Sequence, residues 1–424
     1  MQNAQKKINL KSGVVHTFPG IGMFATETIK AYYEAGWLLN MYTTIVVHSG
    51  KKWVKVLKWI SPALIKKFKH RYFGVIPCSM IKLYPFKEIF RLFSVRYLSL
   101  ITTDKIWEWA EISYDKWAAK QLNQQVKLVH AYEHAALETF KKAGKLGIIK
   151  ILEQTSQHYE FYEEIVNSQF EKYPELKSDY NEQVSGVLLN KRNRRKALEL
   201  EMADFVICNS SFTRSTLVKA NVDLKKIILI PLAYPKPVTY VPKHKEIKKT
   251  NFLYAGSLSI RKGTHLLIDV WRNQFAAAAD ATLLLVGKNL LPDSFTADLP
   301  FNVKILDFVD QNTLNTLYDR ADVFVFPTLA DGFGMVITEA MSRGLPVLTT
   351  RNSAGPDLIN DGYDGLLIDA GNTHELAKQI QWCINNTEAL ESMRERVIKK
   401  AGQWQWSDYR KDLIRQISTK INGE

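Results

Sequence analysis

Residues Val323 to Leu348 read VFVFPTLADGFGMVITEAMSRGLPVL, and the fold is decided in this stretch. Val323 to Phe326 form a short apolar strand that Pro327 breaks. A turn containing Gly332 and Gly334 follows, and the spacing predicts a helix from about Met335 to Ser342. Gly344-Leu345-Pro346 stops that helix, and Val347-Leu348 begins the next strand. Strand, glycine turn, helix and strand make the repeating unit of an open, parallel α/β sheet. The two glycines let backbone approach a ligand closely, and the new helix offers unpaired N–H groups to an anion. Asp331 and Glu339 lie eight residues apart, one before the turn and one inside the helix. That set suits a diphosphate-linked polyol, with hydroxyls at both ends and phosphates between. The plain alternative is an ordinary strand-turn-helix with solvated acids.

The rest of the chain must supply a partner for this unit. A chain of 424 residues exceeds one ordinary core and fits two domains of about 200 residues each. Hydrophobic residues at 46% and charged ones at 24% describe a globular protein, neither disordered nor disulfide-built. Cys78, Cys208 and Cys383 are far apart and match no metal spacing, so a reducing cytoplasm is expected. The opening MQNAQKKINLKSG has no apolar run behind it, so no signal peptide is expected. No run approaches the roughly 20 apolar residues that cross a bilayer. The net charge of +14 favours an anionic partner.

The first half opens as strand, turn and helix. SGVVHTFPG (Ser12 to Gly20) is a short strand with a Pro-Gly turn; helical spacing runs from Ile21 to Trp37, and Thr43 to Val47 is expected as the next strand. Gly20 and Gly22 before the helix serve either a phosphate-binding first loop or tight helix-on-strand packing. Between Glu34 and Glu88 there is no acidic residue, while Lys51 to Lys87 is rich in Lys and Arg interleaved with Trp53, Leu57, Trp59 and Phe68. Pro62 divides this into two short helices. Segment 51–87 therefore suits an anionic membrane surface, against the alternative of a solvated lysine face. No nucleic-acid motif accompanies it, and nucleic acid is not an expected partner. Val126 to His130 is a strand followed by Glu133 and His134, and Ile148 to Leu152 one followed by Gln157 and His158. Residues just past parallel strands are where such a sheet places its ligand. Residues 159–198 read as charged helix, Asp204 to Asn209 as a strand before a Ser210-Ser211 cap, and Lys226 to Pro231 as the last strand of this half.

Residues 234–250 hold three prolines and five lysines and read as a linker. A second α/β series follows, with strands at 251–254, 282–286, 303–306, 322–326 and 365–368. Its helices begin at Thr264, Asn312 and His374, and a terminal amphipathic helix starts near Trp406. The turn after its first strand, AGSLSIRKGTHLL, places Arg261 and Lys262 between Gly256 and Gly263. Two cations at strand ends would neutralise a diphosphate leaving group.

GSLSIRKG, the strand ending at Pro327, DGFGMVITEAMSRGLPV and AGPDLINDGYDGLLI together resemble glycosyltransferase family 4, the retaining nucleotide-sugar transferases. FPGIG, LVHAYEH and MADFVICNSSFTRSTL match more loosely. The resemblance implies an α/β GT-B fold: two Rossmann-like domains facing across a cleft, with the last helix crossing back to the N-terminal domain. The expected division is 1–235 for the acceptor domain, 236–250 for the linker, 251–405 for the donor-nucleotide domain and 406–424 for the returning helix. The implied activity is transfer of a hexose from a nucleoside diphosphate sugar to a glycan, lipid-linked glycan or small-molecule hydroxyl, in polysaccharide or glycoconjugate biosynthesis. No cofactor or metal is expected. The cysteine usage points to the cytoplasm, and the basic segment 51–87 to a peripheral place at the inner face of the cell membrane, against the alternative of a solvated face.

In that scheme Lys262 and Arg261 meet the diphosphate, Glu339 binds the ribose, and Asp331 with Gly332, Phe333 and Gly334 faces the sugar. Gly256, Ser257, Met335 and Val336 complete the donor side, and Gly20 and Gly22 approach from the other domain. Glu133, His134 and His158 are the acceptor-side candidates. Two departures from the family pattern are chemical: Ser257 stands where arginine is usual, and Asp331 is one methylene shorter than the usual glutamate. The rival readings are a sugar phosphorylase or sucrose-type synthase on the same fold, and a catalytically silent partner subunit.

Overall fold

The computed structural model describes residues 8–50, 71–177, 187–239 and 249–423. Among them, two parallel sheets carry the chain. The first holds β1 (Val14–Thr17), β2 (Leu38–Thr43), β3 (Ile81–Leu83), β4 (Leu128–Tyr132), β5 (Ile149–Gln154), β6 (Phe205–Cys208) and β7 (Ile227–Leu229). Its order is β3-β2-β1-β4-β5-β6-β7. The second holds β8 (Thr250–Ala255), β9 (Ala281–Val286), β10 (Val303–Leu306), β11 (Val323–Phe326), β12 (Val347–Thr350) and β13 (Leu366–Ile368), ordered β10-β9-β8-β11-β12-β13. Central strands such as β4 and β11 are buried along their whole length, as expected where helices cover both faces. The chain changes direction beside β1/β4 and beside β8/β11. At such switch points the loops diverge and leave a crevice at the strands' carboxyl ends.

The last helix, Trp406–Asn422, starts from a reciprocal cap between Gln405 and Asp408. Its inward face is Tyr409, Leu413 and Ile417, each almost fully buried. It lies on helix Met23–Glu34, where the Tyr409 and Thr28 hydroxyls meet at 3.0 Å. Arg410 adds ion pairs to Glu27 at 2.5 Å and Glu34 at 2.8 Å. Burying the Leu413 and Ile417 side chains contributes about 1.5–3 kcal/mol apiece, more than the half-exposed Arg410–Glu34 pair can.

Three expectations are corrected. The first helix ends at Glu34, and Gly36, at φ +69°, turns the chain so that β2 begins at Leu38 rather than Thr43. Among the described residues, Val47 makes an isolated bridge to Tyr72 and belongs to no strand. Within the basic segment 51–87, residues 51–70 lie outside the described residues. Ile81–Leu83 is the edge strand β3, paired to β2, and not part of a helical face. Among the described residues no helix is long and apolar enough to cross a membrane.

Candidate functional site

The glycine turns bring the second domain's polar residues together. Gly263 sits at φ +67°, and a Cβ there would lie 2.0 Å from the Pro327 carbonyl oxygen. Only glycine lets the Ser259–Gly263 turn press against the end of β11 in this way. The contact is then sealed by the Arg261 carbonyl, which accepts from the Leu329 N–H at 2.9 Å and the Thr328 hydroxyl at 3.1 Å. The Arg261 guanidinium returns a bond to the Ala330 carbonyl at 2.9 Å.

Asp331 is thereby delivered to both cations. Lys262 Nζ pairs directly with Asp331 Oδ2, and Arg261 Nη1 stands 3.6 Å from Oδ1. Burial alone would raise the Asp331 carboxyl, but Lys262, Arg261 and the Phe333 amide together hold it below the ordinary carboxylate range. Burial lowers the Lys262 ammonium from its usual value despite Asp331. Its Nζ also lies 4.9 Å above the Phe326 ring. Helix Met335–Ser342 starts at Gly334, at φ +80°, immediately after this cluster. Glu339, on its second turn, accepts from the Tyr318 hydroxyl at 3.3 Å, and burial raises its carboxyl. Met335 and Val336 are half-buried in the first turn, and Phe333 is in the core.

Gly332 has a different neighbour from the one its sequence suggests. A Cβ there would meet the Thr155 carbonyl oxygen at 2.1 Å and Ser156 Cα at 2.6 Å, both from the loop after β5. The Gly332 carbonyl accepts from the Ser210 hydroxyl and, at 3.1 Å, from Thr213 Oγ1. The glycine thus allows close approach of the two domains at this turn. Nearby, the Ser211 N–H donates to Asp357 at 2.8 Å, and His265 meets Gln169 at 3.1 Å.

On the first domain, the loop after β4 carries a strained histidine. His134 takes φ +75°, a conformation that costs a non-glycine residue on the order of 1–3 kcal/mol. Glu199 holds it there: one oxygen accepts the His134 N–H at 2.6 Å, and the other accepts Ala136 and Leu137 at 3.0 Å. Burial pushes the Glu199 carboxyl up to about 7 against the pull of Arg195. His134 Nδ1 bonds Glu111 at 2.7 Å, and its ring stacks on Trp107 at 5.2 Å. Its Nε2 is buried without a hydrogen-bond partner among the described residues. Glu133 beside it accepts from Gln154 at 2.8 Å and pairs with Lys196 at 3.3 Å.

A cavity of about 760 Å³ spans the two domains. Glu133, His134, Trp107 and Arg192 line it from one side, and Ser257, Ser259 and Arg261 from the other. Lys262, Glu339 and the Gly332–Gly334 turn are not among its lining residues. His158 is also absent from the lining; it caps helix Tyr159–Lys172 through Nδ1, and its own N–H donates to Thr216 at 3.0 Å. Gly20 borders a separate space of about 190 Å³ with Arg91 and Lys87, and Gly22 caps helix Met23–Glu34. Gly256, at φ +141°, leaves room for the Tyr254 hydroxyl, which donates to the Ser257 carbonyl at 2.8 Å. Sequence reasoning missed Trp107 and Glu111. Ser99, which caps their helix by accepting the Thr102 N–H at 3.2 Å, was the available signal.

Residues 249–386 match the family model described as glycosyl transferases group 1. The capsular polysaccharide biosynthesis glycosyltransferase CapM of Staphylococcus aureus is 29% identical over 161 residues, 37% of this chain and 41% of that protein. The O-antigen chain mannosyltransferase B of Escherichia coli is 25% identical over 226 residues, 49% of this chain and 59% of that protein. The chain thus spans about half the length of these curated relatives. The crystal structure of Anabaena HepE in complex with UDP-glucose superposes with a TM-score of 0.58 at 16% identity, over 96% of this chain and 99% of that one. The two facing parallel sheets are therefore a GT-B fold.

Proposed function

We propose that this chain is a retaining glycosyltransferase of family 4 type, moving a hexose from a nucleoside diphosphate sugar to an acceptor hydroxyl in polysaccharide or glycoconjugate biosynthesis. One observation carries the reading: Arg261, Lys262, Asp331 and the helix start at Gly334 converge at the carboxyl ends of β8 and β11. The match of residues 249–386 to the group 1 model supports it, as do the names of CapM and the O-antigen enzyme. The HepE complex with UDP-glucose supports the donor class.

The pairing suggests how a donor would enter. A diphosphate replaces Asp331 against Lys262 and Arg261, and the helix N-terminus adds its amide dipoles. The displaced Asp331 carboxylate turns to accept from sugar hydroxyls, and Glu339 accepts from the ribose. Cations preorganised at the leaving group stabilise charge that develops as the bond from C1 to the phosphate oxygen breaks. The acceptor oxygen bonds to C1 on the same face, and its proton passes to the departing phosphate. These groups perform the reaction without a metal, so turnover should survive a chelator.

A thermal-shift screen of sugar nucleotides identifies the donor, because a ligand of the folded state raises its melting temperature. Nucleoside diphosphate release from the best binder then tests catalysis. Formation of a sugar 1-phosphate from a glycoside and inorganic phosphate, with no nucleoside diphosphate released, would instead indicate a phosphorylase. Binding without release in the presence of candidate acceptors would indicate a silent subunit.

A further inference from the structure

We infer that helix Phe86–Tyr97 docks an anionic lipid bilayer by inserting its outer face. The polarity of this helix is inverted. Its inward side holds Glu88 and Ser94, both buried. Glu88 is clamped by Arg71 at 2.5 Å and, through both oxygens, by Arg91 at 2.6 and 2.8 Å. Its outward side carries Phe86, Ile89, Phe90, Phe93 and Tyr97, which are 73, 56, 61, 56 and 62% exposed. These positions recur at intervals of three and four, so they form one stripe along the helix. Leu98 and Leu100 continue it into the next helix start. Water selects the opposite arrangement, and a contiguous exposed apolar stripe marks a contact surface.

Charge identifies what covers the stripe. The described residues 71–103 contain five Lys and Arg against a single carboxylate, Glu88, which Arg71 and Arg91 already neutralise. Arg96 is exposed on the helix itself. Phenylalanines at the acyl boundary with cations at the phosphate level is the interfacial arrangement of a surface-bound helix. A second copy of the chain would bring the same excess of positive charge to the contact and repel.

The stripe differs from the contact expected at 51–87, because all but its first residue lies beyond that segment. The helix also borders the cavity's wall. Thr103 Oγ1 donates to the Ser94 carbonyl at 3.0 Å, tying it to helix Leu100–Gln121. That second helix supplies Asp104, Trp107 and Glu111 to the cavity lining.

Flotation of the full chain with phosphatidylcholine vesicles, with and without phosphatidylglycerol, tests the inference. Binding to the mixed vesicles is expected, and should weaken at least about tenfold in pure phosphatidylcholine. The Phe86→Ser/Phe90→Ser/Phe93→Ser variant should lose at least about tenfold on mixed vesicles while keeping its melting temperature. Phe90→Trp should keep binding and shift its emission to the blue as the indole leaves water. Absence of binding by the parent chain overturns the inference, as does parental binding by the triple variant. An unshifted Phe90→Trp spectrum on bound protein overturns insertion. A parental dimer that the triple variant converts to monomer, with no vesicle binding by either, overturns it in favour of a second copy.

Discussion

Lys262 and Asp331, 69 positions apart in the chain, meet as a largely buried ion pair where the end of β11 closes on the Ser259–Gly263 turn. Their side chains are only 13% and 15% exposed, so each charge depends on the other. Removing Lys262 leaves the buried Asp331 carboxylate with the Phe333 amide and the longer Arg261 contact at 3.6 Å, which costs up to about 3–5 kcal/mol. Lys262→Ala is therefore expected to lose nucleoside diphosphate release and also several degrees of melting temperature. Lys262→Met combined with Asp331→Leu removes both charges and should regain most of that stability while staying inactive. Calorimetry beside the release assay separates the two effects. A double variant with restored turnover would remove both residues from the proposed chemistry.

Gly332 tests the domain contact. A Cβ at this position would overlap the Thr155 carbonyl at 2.1 Å, and backbone cannot rotate away as a side-chain tip can. Gly332→Ala is expected to hold the domains apart while each sheet stays folded. The circular dichroism spectrum should be unchanged, the radius of gyration from solution scattering larger, and turnover reduced at least about tenfold because the reacting groups are no longer assembled. Parental scattering together with parental turnover would show that the loop yields locally.

Much of the second domain was legible because its strands are short apolar runs bounded by breakers. The Val323 to Phe326 strand, Pro327 and the Met335 to Ser342 helix stand where the sequence puts them. The first domain was less legible for a physical reason. Helix Phe86–Tyr97 turns its phenylalanines outward, and helix Leu100–Gln121 buries Glu108 and Asp115 while exposing Trp109. A hydrophobic pattern read as inside-facing fails on both. The candidate site was legible as residue types but not as pairs. Nothing local in GSLSIRKG or ADGFG states that Lys262 is spent on Asp331, or that Gly332 faces Thr155. Glu111 reaches His134 only through a helix the sequence reading did not place.

The loop carrying His134 should impose a pH dependence on stability. Burial raises the folded-state Glu199 carboxyl from an ordinary 4.5 to about 7, so between those values the folded state binds the extra proton. Stability from this group is then full below about pH 4.5 and is lost as pH rises through about 7, a change on the order of 3 kcal/mol. In denaturant titrations across that range the stability of the parent should fall by this amount more than that of Glu199→Gln, whose pH profile is flatter. Equal pH profiles would mean that the three backbone N–H groups and Arg195 keep Glu199 ionised throughout.

Glu339 makes the last prediction, and its sign follows from which form binds. A ribose diol donates to a carboxylate, so only the ionised side chain can accept from both hydroxyls. Burial raises this carboxyl above its ordinary range, with Tyr318 and Gln311 pulling the other way. Donor affinity should therefore fall as pH drops through a value above that of a free glutamate. Glu339→Gln keeps the volume but loses one acceptor. A bond to a charged group is worth about 1.5–3 kcal/mol, so the variant should bind the donor roughly tenfold to a hundredfold more weakly, with this pH dependence gone. Isothermal titration of the nucleoside diphosphate alone isolates this contact from the sugar and from Asp331. If the free nucleoside monophosphate or diphosphate binds Glu339→Gln as tightly as the parent at every pH, the ribose is held elsewhere.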